Sequence, residues 1–279
     1  MEANDHISDA VTSAFIRISK QYPFTEHRLA GKSLLGKELP VMRIGQGNKN
    51  ILLLGGADAA ESISESLLLQ FTDDLCRCIS LNKQVYHLNC AYLCHSRSFW
   101  ILPRINPDGR ALVLHGADPS CVLYERQMKL NGMKSDFSDW HANARGICPH
   151  LNFNDRFAQR REQYLAAGSV VPLPCGEFPE SEPETAAICS LIRLLDPTCI
   201  IELGKGDTSH FYADAQTPLS MRQVSHMTGF FPAQTPFCGA GAWFYETYRR
   251  PYFYFSCPDN TAYHEMRKFL FSFPALIGV

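Results

Sequence analysis

The sequence predicts a single α/β/α layered domain over residues 1–279. Three observations lead there. The strand candidates "KNILLLGGA", "SFWILP", "PTCIIELG" and "RPYFYF" are continuous apolar runs, the pattern of strands covered on both faces. Amphipathic helical stretches alternate with them, as in layered α/β proteins. No repeat, low-complexity linker or break in composition divides the chain. With 46% hydrophobic residues, it can bury a substantial core.

Taken in order, residues 6–20 carry helical spacing at Val11, Phe15, Ile16 and Ile18. "GKSLLGKELPVMRIG" reads as two short strands around a turn at Gly36. "KNILLLGGA" is a central strand, and "SISESLLLQFTDDLCRCI" follows as an amphipathic helix with Ser62 or Ser64 as its cap. "SFWILPRINPDG" is a buried strand closed by a turn. There Asn106 and Asp108 bond neighbouring backbone and Gly109 supplies a positive φ. Residues 110–180, rich in Gly, Pro, Asn and Asp, are expected to form long loops. "SEPETAAICSLIRLLD" opens with Ser181 as cap, Pro183 in the first turn and Glu184 near the helix N-terminus. "PTCIIELG", "RPYFYFSCP" and the closing helix "NTAYHEMRKFLFSFPALI" complete the pattern.

Charge and cysteine usage exclude several classes. A formal net charge of −2 gives no strong pull toward nucleic acid or an anionic membrane. "MEANDHISDA" has neither the basic nor the apolar region of a signal peptide, and no apolar run is long enough to span a bilayer. The eleven cysteines are scattered without C-x-x-C pairs, which points to free thiols in a reducing cytoplasm. Cys90, Cys94 and His95 lack the second pair that a zinc site of this type needs, so packing is the expected role.

In sheets of this kind, ligands bind beyond the carboxyl ends of strands. Asp58, Asn106, Leu203 and Ser256 lie at or just past such ends, and Glu61 follows Asp58 by three residues.

The stretches "HRLAGKSLLGKELPVMRIGQG", "ILLLGGADAAES", "ILPRINPDGRALVLHG", "KLNGMKSDFSDWHANARG", "LNFN", "SEPET" and "YETYRRPYFYF" occur in the order found in the zinc carboxypeptidase family. From about residue 22 onward the chain resembles its bacterial gamma-D-glutamyl-diaminopimelate peptidases, which cut cell-wall peptides. The resemblance implies a three-layer α/β/α sandwich around a mixed, mostly parallel eight-stranded sheet. It also implies a zinc ion held by His-x-x-Glu and a second His, a Glu base for the bound water, and an Asn-Arg pair for the substrate carboxylate.

Carried over residue by residue, the resemblance finds most of that chemistry replaced. Asp58 stands for the first His, while the Glu is kept as Glu61. Leu203 matches the third ligand, and Ser256 matches the catalytic Glu. Asn152 is kept, but its Arg partner is Phe153. The tyrosine of the loop before Trp243 is absent, since residues 229–242 contain none. The expectation is a pseudoenzyme with no resident cofactor that retains at most peptide or muropeptide binding. Phe153 would line an apolar pocket, Lys205 would supply a charge, and Arg145 is a candidate to polarise a carbonyl.

Two alternatives stay open. Asp58, Glu61 and either His210 or His150 could hold zinc in a rearranged, active site, although both acids could instead cap the following helix. Ser256-Cys257 could be a nucleophile served by His210 or His264, against core packing for Cys257. Phe211, Tyr212, Phe230, Phe231 and Phe237 either line the cleft or, as spacing favours, pack in the core. No protein partner is indicated.

Overall fold

The structure is a computed structural model, and it describes residues 10–169, 173–213, 217, 219–233 and 238–276. The start of the first expected helix and Phe237 lie outside them. The strands are β1 (Thr25–Lys32), β2 (Glu38–Ile44), β3 (Lys49–Leu54), a small ribbon of β4 (Gln84–Val85) and β5 (Leu88–Asn89), then β6 (Arg97–Leu102), β7 (Cys199–Lys205), β8 (His210–Ala213), β9 (Phe231–Pro232) and β10 (Tyr252–Cys257). The main sheet has eight strands in the order β1-β2-β6-β3-β7-β10-β8-β9. Its centre, β6-β3-β7-β10, is parallel, while β1, β2 and β8 run antiparallel to their inner neighbours. The expected mixed eight-stranded sheet is therefore present.

Helices cover both faces. They are α1 (Ala10–Gln21), α2 (Ile63–Ser80), α3 (Cys90–Ser96), α4 (Pro107–His115), α5 (Tyr124–Leu130), α6 (Phe157–Ala166), α7 (Pro183–Leu195), α8 (Met221–Thr228), α9 (Ala240–Tyr248) and α10 (Tyr263–Leu276). In α2, Leu67, Leu68, Phe71 and Leu75 recur at helical spacing and are buried. They join Ile51, Leu53, Phe99, Ile101, Ile201, Leu203, Phe253 and Phe255 in the core layer shared with α1, α8 and α10. Leu52, Leu54, Trp100, Ile200 and Tyr252 face the opposite layer, where Ile188, Ile192 and Trp243 of α7 and α9 meet them. Period-two alternation along the strands thus feeds two cores.

Several local expectations are corrected. The first strand begins at Thr25, ahead of the expected stretch, and Gly36 turns it back with φ 84°. Residues 110–180 hold the rest of α4, then α5, α6 and a 3₁₀ turn at Pro149–Leu151, so they are not only loops. Asn106 caps α4, accepting from Gly109 N–H at 3.0 Å, and Pro107 suits its first turn. Gly109 is helical. It is needed because a Cβ there would come 2.1 Å from the Ala142 carbonyl, not because of a positive φ. Neither Ser62 nor Ser181 caps a helix with its side chain; the residue before α7 is Glu182. Cys90 and Cys94 are buried on α3 while His95 is exposed, so the three do not converge.

The aromatic layer beneath α10 gives a direct test. The Phe253 ring is fully buried, with its centroid 4.4 Å from Phe273 and 5.1 Å from Phe269. Phe253→Ala is expected to cost about 3–5 kcal/mol. Urea unfolding would be followed by circular dichroism and fluorescence, and one folding unit requires the two signals to change together.

Candidate functional site

Three neighbouring parallel strands deliver the candidate residues to one edge of the sheet. Leu54 at the end of β3 pairs with Glu202 of β7, and Gly204 of β7 pairs with Ser256 of β10. Past β3 the chain turns at Gly55 and Gly56, the latter at φ 64°, and then presents Asp58 and Glu61. A Cβ at Gly56 would come 2.8 Å from Arg104 Cα, so glycine serves both the angle and the close approach.

The two acids do different work. Glu61 is 2% exposed. Its Oε2 accepts from Ser64 N–H at 3.0 Å, its Oε1 accepts from Gly56 N–H at 3.1 Å, and the Ser64 hydroxyl is bound against it. The glutamate therefore satisfies the first turn of α2, the role expected of a serine. Burial pushes its carboxyl up to about 7. Asp58 does not cap the helix. Its Oδ1 accepts from Ala60 N–H at 2.9 Å, and both its oxygens lie 2.9 Å from Nδ1 of His141.

His141 was not among the sequence candidates. It arrives on the loop before Asn143, whose side chain accepts from the Arg145 and Ile147 N–H groups and donates to Glu182 at 2.7 Å. Phe137 and Trp140 pack under the same loop. The only signal in the sequence is that His141 fills a variable position of W-x-A-N-x-R-G.

Leu203 does not face this edge. It is 1% exposed within the α2 and α10 core, alongside Phe211, Phe253 and Phe255. Gly204, the register partner of Ser256, is the β7 residue on Ser256's side of the sheet. A Cβ at Gly204 would lie 2.2 Å from the Tyr254 hydroxyl, so tyrosine fills the space a side chain there would enter. Ser256 is 7% exposed and donates to the Thr208 carbonyl at 3.3 Å.

The remaining candidates have structural partners. Asn152 is fully buried. It donates to the carbonyls of Cys175 and Phe178 and to the Ser181 hydroxyl, and it accepts from Glu182 N–H. Phe153 is 1% exposed, packs 6.3 Å from the Trp243 ring and lines no open pocket. Arg145 pairs with Glu182 at 3.3 Å, and Lys205 pairs with Asp259 at 3.0 Å while remaining partly exposed. His210, the register partner of Ser256 on β8, contacts Thr208 at 2.7 Å and lies beside Phe231 with the two rings tilted. Burial pushes the His150 imidazole down to about 4. Cys257 is fully buried and its thiol is pushed far up, the opposite of an activated nucleophile. Phe211 and Phe230 are core, Tyr212 packs on Tyr252, and Phe231 is exposed.

Deeper in, Glu202 accepts from Gly241 N–H at 2.9 Å at the start of α9, and burial pushes its carboxyl up to about 7. Asp155 is fully buried against Arg160 at 2.8 Å, and burial pushes it up to about 6. Among the described residues, no three His, Cys, Asp or Glu side chains gather in a way that could hold a metal ion. With Asp58 bound to His141 and Tyr254 filling the place beside Gly204, the residues present do not fit a zinc ion.

This sheet order, with the acids at the ends of its parallel strands, is that of the metallocarboxypeptidase fold. The zinc carboxypeptidase family profile matches residues 11–228, and the chain belongs to that family. It is 26% identical over 247 residues to gamma-D-glutamyl-L-diamino acid endopeptidase 1 of Lysinibacillus sphaericus, covering 85% of this chain and 61% of that protein. The chain thus spans about three fifths of that curated relative. Thrombin-activatable fibrinolysis inhibitor superposes with a TM-score of 0.63 at 18% identity, covering 95% of this chain and 74% of the other. Murein-tripeptide amidase MpaA of Escherichia coli O157 superposes with a TM-score of 0.54 at 20% identity, covering 91% of each chain.

Two outcomes test this geometry. Gly204→Ala is expected to destabilise the fold by about 1–3 kcal/mol through overpacking. Part of that loss should return in a Tyr254→Phe background, which a double-mutant cycle measures. The second concerns Glu202, whose carboxyl ionises near its ordinary 4.5 when unfolded and near 7 when folded. Between those values the folded state holds the extra proton, so stability falls as pH rises through the window and levels off above it. Glu202→Gln should reduce that slope in urea midpoints taken from pH 4.5 to 7.5, leaving the share that Glu61 and Asp155 contribute in the same direction.

Proposed function

We propose that this chain is a zinc carboxypeptidase-family pseudoenzyme that binds, and does not cut, a short cell-wall-type peptide. One observation carries the first half. The positions from which two metal ligands and a base would act, residues 58, 204 and 256, are engaged from within by the His141 imidazole, the Tyr254 hydroxyl and the Thr208 carbonyl. A serine hydroxyl cannot replace a carboxylate as base near neutral pH. The rearranged alternative with Asp58, Glu61 and His210 is the less supported one: among the described residues the three do not gather as a metal-holding group, and His210 contacts Thr208.

The ligand class comes from the related gamma-D-glutamyl-L-diamino acid endopeptidase. With the interior filled, such a peptide would meet the rim, where His141 and Lys205 offer donors to its carboxylates. The net charge of −2 argues against nucleic acid and anionic membrane as partners. Among the described residues, no helix is long and apolar enough to cross a membrane. Eleven free cysteines support a reducing, cytoplasmic setting.

Protein purified without chelators and then offered zinc should retain far less than one equivalent. It should not hydrolyse a gamma-D-glutamyl-diamino acid peptide, yet should bind that peptide in a calorimeter. Stoichiometric zinc, with turnover abolished by chelator and by Glu61→Ala, would overturn the pseudoenzyme reading. Absence of peptide binding would overturn the ligand.

A further inference from the structure

A groove of about 630 Å³ runs between α8 and α10, and none of the strand-end residues described above lines it. We infer that it is a binding site for a free amphiphilic carboxylate, an alkyl chain carrying one anionic head. The volume lies within the range of about 300–1,000 Å³ typical of small-molecule sites. Arg222 and His226 sit one turn apart on α8, and Lys268 faces the same groove from α10. Among the described residues, no acidic side chain lines it, although Asp and Glu outnumber Lys and Arg by 28 to 26 in the whole chain. Among the described residues, these three bases take part in no ion pair.

The apolar half of the groove comes from Leu219, Met227 and Leu276. Met227 packs onto the main core, while Leu276 is 43% exposed. Lys268, Ser272 and Leu276 recur every four residues along α10, so a cation, a hydroxyl and a methyl-rich tip follow one another on one stripe. From Lys268 to Leu276 the helix rises about 12 Å, the reach of an extended alkyl chain of roughly ten carbons. A carboxylate meeting the Arg222, His226 or Lys268 side chain would gain charge-assisted bonds while its tail covers the apolar lining.

Titration with dodecanoate below its micelle concentration tests the site, read by calorimetry on the full chain. Saturable binding of one molecule per chain is expected. It should weaken at least tenfold in the double variant Arg222→Glu, Lys268→Glu, and similarly in Met227→Asp, each checked for native circular dichroism and melting. Dodecanol, which lacks the charge, should bind at least tenfold more weakly. Failure to saturate, equal binding of dodecanol, or unchanged affinity in the folded charge-reversed variant would overturn the assignment. So would binding seen only with anionic vesicles, which would make the groove a membrane contact. The result is independent of zinc content and of wall-peptide binding, so it stands or falls apart from the pseudoenzyme reading.

Discussion

The central strands β6, β3, β7 and β10 are covered on both faces, so each residue in them is assigned by parity to one of two helical layers. This constraint governs the rest of the structure. It places Phe253, Phe255 and Leu203 in the aromatic core beneath α10, and it sends Tyr254, Ser256 and Gly204 to the other side. A step of one residue along β7 is therefore the difference between a core leucine and a position facing the strand-end cleft. No adjustment of the loops can undo it, because a register slip would turn every apolar side chain of the strand toward the wrong layer.

Within that frame, the strand-end edge gathers polar groups that are bonded largely within the chain. A buried carboxylate without a cation costs several kcal/mol unless it is paired or protonated. The fold uses both remedies. Glu61 and Glu202 hold backbone N–H groups and are raised toward neutrality, and Asp155 is matched by Arg160. Asp58, nearer the rim, meets an imidazole supplied by a loop. Glycines at 204 and 206 let neighbours close over the space, since a Cβ at Gly206 would run into Ser256 and one at Gly204 into Tyr254.

The fold was legible because its signals are local and redundant. Apolar runs marked β3, β6, β7 and β10, and helical spacing marked α2, α7 and α10. The four-residue β8 and two-residue β9 were missed, being too short for any period to appear. The site was less legible. Asp58, Glu61 and Ser256 do stand at strand ends, but Leu203 faces the core, and Asn152 and Phe153 are buried in the scaffold. His141 and Tyr254 went unseen because their roles depend on contacts across 83 residues for the Asp58 pair and across two strands for Gly204. Sequence spacing along one chain does not encode such contacts.

The residues that carry the family likeness are mainly those that shape backbone. Asn106 and Gly109 build the start of α4, Asn143 builds the loop that brings His141, and Asn152 ties that region to the segment before α7. Each is buried and bonded to main chain, so each is held by the cost of leaving a buried polar group unsatisfied. At the strand ends, Glu61 has the heaviest backbone duty, holding the Gly56 and Ser64 N–H groups, while Asp58 and Ser256 each make one main-chain bond. A scaffold of this kind can lose its chemistry group by group while its turns, caps and register persist. That separation lets a family resemblance in sequence coexist with strand ends where, among the described residues, no metal-holding group gathers.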